Sequence, residues 1–208
     1  MDREIKPTRM ELMEVRRKIA LSERGYHILK MKRDGLIVEF FNVLSKARNI
    51  REKIIDDYKK ASHHLTTARC LDGDAAVLSA SFNAGEDPVV RFESKNVMGV
   101  VVPTSIESGT VRRRIDRRGY GIIGISPYID ASAAAYEELV EGIILAAELE
   151  TTLKRLIEEI ERTKRRVNAL EFKVIPELRQ IEYLIRLRLE EMERDNVFRL
   201  KRIKQKAG

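Results

Sequence analysis

The residues with the most chemical potential cluster in the middle of this sequence. Gly119-Tyr120-Gly121-Ile122-Ile123-Gly124 has the spacing of a dinucleotide-binding turn. Such a turn works when an apolar strand precedes it and a helix opens from it, so that backbone N–H groups meet a pyrophosphate. Here Arg112 to Arg118 precede it and Ser126-Pro127 follow, so the stretch reads as a loop. Arg112-Arg113-Arg114-Ile115-Asp116-Arg117-Arg118 is the densest basic run. It suits a solvated loop, an acidic protein surface or nucleic acid. Only Tyr120 offers a stacking ring nearby, and no zinc finger, RNP or GxxG motif accompanies it, so nucleic acid is not expected.

His27, His63 and His64 are the only histidines, and Cys70 is the only cysteine. Adjacent residues on a helix point about 100° apart, so His63 and His64 cannot form a ligand pair on their own. Cys70 has no histidine placed to activate it, and a single cysteine excludes a disulfide scaffold. No Ser/His/Asp set, P-loop or metalloprotease motif is present. The expectation is no catalytic residue, no cofactor and no metal, so not an enzyme on its own.

The elements around these residues are unusual. Of 208 residues 35% are charged, with 40 Lys+Arg against 33 Asp+Glu for a formal charge of +7, and only 6% are aromatic. That balance approaches long-helix composition. No apolar run is long enough to span a bilayer and the N-terminus carries no signal-peptide core, so the expectation is a cytosolic soluble protein or one recruited to a surface by another protein. Seven of the eleven glycines and three of the five prolines lie between residues 73 and 127. The chain therefore divides into a charged segment, a Gly/Pro-rich middle and a second charged segment.

In the first segment Thr8 and Glu11 fit a capping box. Apolar or tolerated residues then recur at steps of three and four: Leu12, Val15, Ile19, Ser22, Tyr26, Leu29, Arg33, Leu36, Phe40, Val43, Ala47, Ile50, Ile54, Tyr58, Ala61, Leu65 and Ala68. That pattern predicts a coiled-coil helix over 8–79. A matching seam runs through Tyr136, Leu139, Ile143, Ala146, Leu153, Ile157, Ile160, Val167, Val174, Leu178, Ile181, Ile185 and Met192, predicting a second helix over 132–204. Leu149, Leu156, Leu170, Leu184 and Leu187 widen it on one side. The middle, 80–131, should form a small head with a β-hairpin over about 89–102. Its strands would be Val89 to Glu93 and Val97 to Val102, with Ser94-Lys95-Asn96 as the turn. The fold class expected is mainly α: a long antiparallel two-helix coiled coil with a small hairpin head. With the bend near residue 105, Pro176 would lie level with Gly35, and the two would mark one bent or loosened level of the rod.

The terminal stretches resemble a known family. Lys6-Pro7-Thr8-Arg9, Glu11-Leu12 and Gly25-Tyr26-His27-Ile28-Leu29-Lys30-Met31-Lys32-Arg33-Asp34 are similar to the D subunit of the A/V-type rotary ATPases. So are Arg165-Arg166-Val167-Asn168-Ala169-Leu170-Glu171, Val174-Ile175-Pro176, Ile181-Glu182-Tyr183-Leu184 and Leu189-Glu190-Glu191-Met192-Glu193-Arg194. The resemblance implies a central-stalk rotor shaft that carries torque between the nucleotide-binding head and the membrane ion-translocating ring. Its implied partners are the catalytic and regulatory nucleotide-binding A and B subunits, the small F subunit of the stalk, and the funnel-shaped C/d subunit on the ring. It also implies a peripheral place on the cytoplasmic face, with no membrane insertion.

A shaft must turn without sticking, so head contacts are expected from scattered exposed residues near the termini: Arg9, Arg16, Lys30, Arg33, Arg194, Arg199 and Lys201. The hairpin residues Val89, Phe92, Val97 and Val100 are the expected regulatory element. The basic tail Arg199 to Lys206 suits either the helix macrodipole or an electronegative socket. Two other readings share the helix–hairpin–helix outline or the charge: a prefoldin-like chaperone or adaptor, and a basic coiled coil that binds nucleic acid.

Overall fold

The computed structural model describes residues 7–83, 90–106, 111–115, 118–120 and 126–207. Helix α1 spans Arg9–Asp72, α2 Asp74–Asn83, α3 Pro127–Ala169 and α4 Ile175–Ala207, with strands β1 (Arg91–Val97) and β2 (Val100–Ile106) between α2 and α3. The fold is mainly helical, with long helices and one small antiparallel hairpin, as the seams predict. By its internal contacts the chain divides into two compact units, residues 1–35 with 160–208 and residues 36–159.

In the first unit the sequence signals act as expected. Thr8 caps α1: its Oγ1 accepts the Glu11 N–H at 3.2 Å, satisfying one of the orphan donors of the first turn. Val15, Ile19 and Ile185 form a buried cluster flanked by Leu12, Leu178, Ile181 and Leu189, so α1 and α4 pack along their predicted seams. Three ion pairs fix the antiparallel register: Arg9 with Glu193 (2.6 Å), Arg16 with Glu182 (2.8 Å) and Arg179 with Glu23 (2.7 Å). All three are exposed, so each adds little stability.

That register corrects the expected level of the proline. Pro176, three residues before Arg179, comes level with the Gly25-Tyr26 turn rather than with Gly35. Gly35 lies about ten residues further along α1, roughly 15 Å at the helical rise. The irregularity is local to the proline's own helix: Leu170–Val174 form a single π-helical turn, closed by the Ile175 N–H on the Leu170 carbonyl. Pro176 offers no N–H to the Phe172 carbonyl, and the wider turn accommodates that missing bond. α1 runs through Gly35 without interruption.

Gly25 is also helical, and a Cβ added there would meet nothing within 4 Å. Gly25→Ala should therefore stabilise the chain by about 0.5–1 kcal/mol through helix propensity alone. Gly142 is different, because an added Cβ would sit 3.3 Å from Ile54 Cγ1. Gly142→Ala should gain less than Gly25→Ala, and thermal unfolding of the two variants checks the order.

In the second unit α1 ends at Gly73, whose φ of 85° suits glycine and whose N–H bonds the Arg69 carbonyl at 3.1 Å. The single helix expected to Ser79 is thus two, with α2 beginning at Asp74. Leu36, Val43, Ala61 and Ala68 are buried as the seam predicts, whereas Tyr58 points outward. Within this unit α3 buries Leu139 of the expected seam and Leu156 of its flank, whereas Ile143 and Ile157 of the seam are about half exposed. Thr152 is buried too, so the inward face of α3 takes in part of the seam and part of the flank that Leu149 and Leu156 occupy.

The hairpin exists, but its turn is not Ser94-Lys95-Asn96. Those residues lie in β1, paired with Pro103, Val102 and Val101. The turn is Met98-Gly99, with φ of 51° and 86°. Positive φ at both central residues is the geometry that matches strand twist in a two-residue loop. Asn96 Oδ1 accepts the Gly99 N–H at 2.8 Å and steadies it.

Candidate functional site

The central basic run is bound to the acidic face of α3. Arg118 is 7% exposed. Its guanidinium forms a two-point fork with Glu137, Nε to Oε1 at 3.1 Å and Nη2 to Oε2 at 2.9 Å. Nη1 donates to the Asp130 carbonyl at 3.2 Å and approaches Asp130 Oδ1 at 3.4 Å. The Tyr120 hydroxyl donates to the same Oδ1 at 2.7 Å. The Arg113 backbone N–H adds a bond to Glu137 Oε2 at 3.2 Å. Arg112 reaches further along α3, to Glu138 (3.2 Å) and Glu141 (2.9 Å). Asp130 and Glu137 are seven residues apart, two helical turns, so one face of α3 presents both carboxylates.

Arg112 and Arg118 thus serve an acidic surface within the same chain. Asp116, Arg117 and Gly121 to Gly124 lie outside the described residues.

Burial and these bonds shift two groups. Arg118 loses solvation, yet Glu137 and Tyr120 hold its charge more firmly than usual, so its pKa is raised. Burial, then donation to Asp130, pushes the Tyr120 hydroxyl up to about 12. Because the folded state keeps this proton longer, unfolded Tyr120 ionises first. The contribution is complete below about pH 10 and fades as pH rises toward 12, a loss of roughly 2 kcal/mol. Alkaline denaturation of Tyr120→Phe should lack this part of the loss.

The residues expected to contact a partner are scattered. Arg9 and Arg16 are engaged by Glu193 and Glu182. Lys30 lies 5.6 Å from the Tyr26 ring centroid, and Arg33 bonds Asp34. Arg194, Arg199 and Lys201 are exposed on α4. Glu193 is the last α4 residue with a described ion pair to α1; beyond it Val197, Phe198, Leu200 and Ile203 are all more than half exposed. In the hairpin, Val100 and Val102 are buried, Val97 half-buried and Phe92 exposed, while Val89 lies outside the described residues. Arg155 of α3 donates to the Val101 carbonyl and docks the hairpin. Among the described residues no cluster of His, Cys, Asp and Glu could hold a metal, and no helix is long and apolar enough to cross a membrane.

Sequence reasoning did not pair Arg118 with Glu137. The signal was there in the spacing of Asp130 and Glu137, opposite in charge to the run that precedes them.

The family model for the ATP synthase D subunit matches residues 11–205. The chain belongs to the ATP synthase D-subunit family. It is 57% identical over 203 residues to the A-type ATP synthase D subunit of Methanococcoides burtonii, covering 98% of each chain. To that of Methanosarcina acetivorans it is 57% identical over 201 residues, covering 97% of this chain and 96% of the relative. To that of Haloarcula marismortui it is 51% identical over 206 residues, covering 99% and 89%. As a member of that family it is a non-catalytic, central-stalk component of an A/V-type ATP synthase; it works with the other subunits of that complex and transmits torque.

Proposed function

We propose that the termini of this central-stalk chain engage the catalytic and regulatory nucleotide-binding A and B subunits. The small F subunit binds alongside, and the bend end of the chain meets the funnel-shaped C/d subunit on the membrane ring. The chain is thereby peripheral on the cytoplasmic face. The observation that carries the reading is α4 beyond Glu193: a helix that continues to Ala207 with Val197, Phe198, Leu200 and Ile203 exposed between basic residues. Apolar side chains on a charged helix favour burial in a partner, and the cations favour one lined by carbonyls or carboxylates. Two unlike helices lack threefold symmetry, so each surrounding subunit meets a different face, and turning the shaft changes which nucleotide site is favoured. Under this reading Val89, Phe92, Val97 and Val100 act as a regulatory element remote from the nucleotide sites.

Mixing this chain with purified A and B subunits and resolving the products by size tests the assignment. A stable complex supports it. Co-purification with unfolded clients instead would favour the chaperone reading, and tight, site-specific nucleic-acid binding would favour the third. Within the complex, single alanine changes at Arg9, Arg16, Lys30, Arg33, Arg194, Arg199 or Lys201 should alter the ATPase rate by less than about fivefold, since all but the half-buried Arg33 are exposed. One change that abolished hydrolysis would indicate a direct chemical role and remove the mechanical scheme.

A further inference from the structure

Paired helices hold each other most firmly at the levels where side chains are buried between them, and in the first unit those levels are unevenly spaced. Val15 and Ile19 pack with Ile185. Beyond that cluster every residue of α1 from Ala20 to Gly35 is exposed or half-buried, and so is every residue from Asn168 to Leu184. The ion pairs Arg16–Glu182 and Arg179–Glu23 set these two stretches opposite one another. The backbones are weakest at the same level. In the π-helical turn Leu170–Val174 the closing Ile175 N–H reaches Leu170 rather than Glu171. Pro176 has no N–H for the Phe172 carbonyl, so two successive rungs of the α ladder are missing. The Phe172 ring is 74% exposed and does little to brace the turn. Level with Pro176 on α1 stands Gly25, helical, with open space where a Cβ would be. A sparse seam, a π turn before a proline and a helical glycine therefore coincide. Segments with few buried contacts and weakened backbone bonds open at the lowest free energy.

We propose that residues 22–31 of α1 and the facing residues 170–176 form a torsional joint, a short soft level at which the shaft takes up twist when its termini and the rest of the chain turn unequally. The proposal rests on the torque function of the family and is independent of which subunits touch the chain.

The test variant combines Gly25→Ala, which adds helix propensity in open space, with Pro176→Ala, which restores the N–H. Gly142→Ala, on a helix of the second unit, is the control. Amide exchange on the full chain reads the joint itself. Away from the helix ends, exchange in the parent should be fastest over 22–31 and 170–175. In the double variant it should slow there about tenfold, while the control leaves it unchanged. In the assembled enzyme, stalled without ATP, a bead on Phe82→Cys in a Cys70→Ser background reads the angle of the shaft. Its thermal angular spread should narrow about 1.5-fold in the double variant, because the soft level regains its hydrogen bonds. Parent exchange over these stretches no faster than at Val15 or Ile185 would overturn the proposal, as would an unchanged angular spread. Loss of assembly in the double variant alone would also overturn it, by placing this level in a docking surface. A parent chain that forms no complex would sink the subunit assignment instead, and the exchange result would then decide the joint.

Discussion

Replacing Arg118 by alanine lowers the stability of the isolated chain by about 3 kcal/mol or more. The cause is the carboxylates left behind rather than the loss of an attraction. Glu137 has a side chain only 18% exposed and Asp130 one 28% exposed, and both would face a site emptied of its cation. Taking a carboxylate out of water without a partner is costly, which is why breaking a buried pair costs more than the pair contributes on balance. Arg112→Ala makes the contrast. That side chain is 59% exposed, and Glu138 and Glu141 are about half exposed, so water replaces the lost partner and the change should stay under about 1 kcal/mol. Urea titration of both variants measures the difference. Arg118→Met combined with Glu137→Leu should lose less than Arg118→Ala alone, because it removes charge from both sides of the pair. A single-variant loss no larger than that of Arg112 would mean the guanidinium is not the keystone of this site.

The two arginines also show where a sequence stops being informative. Six residues apart in one basic run, they are indistinguishable by composition. Their different energetics come from burial, which depends on how the segment crosses α3. By contrast, the positions that follow from local periodicity were legible. Val15, Ile19, Leu36, Val43, Ala61 and Ala68 all lie inward as their spacing of three and four requires. Thr8 caps α1 because its side chain can reach the first turn without help from the rest of the fold. The hairpin was legible from its valines, but its turn was misplaced by reading polarity instead of φ: Ser94-Lys95-Asn96 looks like a turn, whereas only Met98-Gly99 supplies the left-handed pair.

Register was legible in direction and not in value. An antiparallel arrangement follows from two helical segments around a breaker-rich middle. The facing residues depend on where the chain turns, which composition leaves open by several residues. The ion pairs of Arg16 with Glu182 and Arg179 with Glu23 settle it, and they move Pro176 to the level of Gly25. Thr152 and Thr163 were unread for another reason. Hydropathy ranks threonine as polar, yet both are at most 8% exposed. Family membership was legible because it rests on the terminal stretches, and the match over 11–205 includes all of them except Lys6-Pro7-Thr8-Arg9.

The seam of the first unit yields the other large effect. Ile185→Ala should destabilise the chain by about 3 kcal/mol, within the range for large-to-small core changes. Ile185 is 1% exposed and packs with Val15 and Ile19 of α1, so its removal leaves a void that two helices must close. The antiparallel register already set by Arg16–Glu182 limits how far the backbones can move to fill it. For a chain of this size that corresponds to a fall in Tm of roughly 6–12 °C. Leu187→Ala, two residues on and 41% exposed, should cost less than half as much, which separates burial from helix propensity because both changes end in alanine. Val15→Ala combined with Ile185→Ala should lose less than the two single changes added together, because the two side chains share one void. Strict additivity in that cycle would mean that α1 and α4 do not meet at this level, and the register drawn from the ion pairs would have to be abandoned.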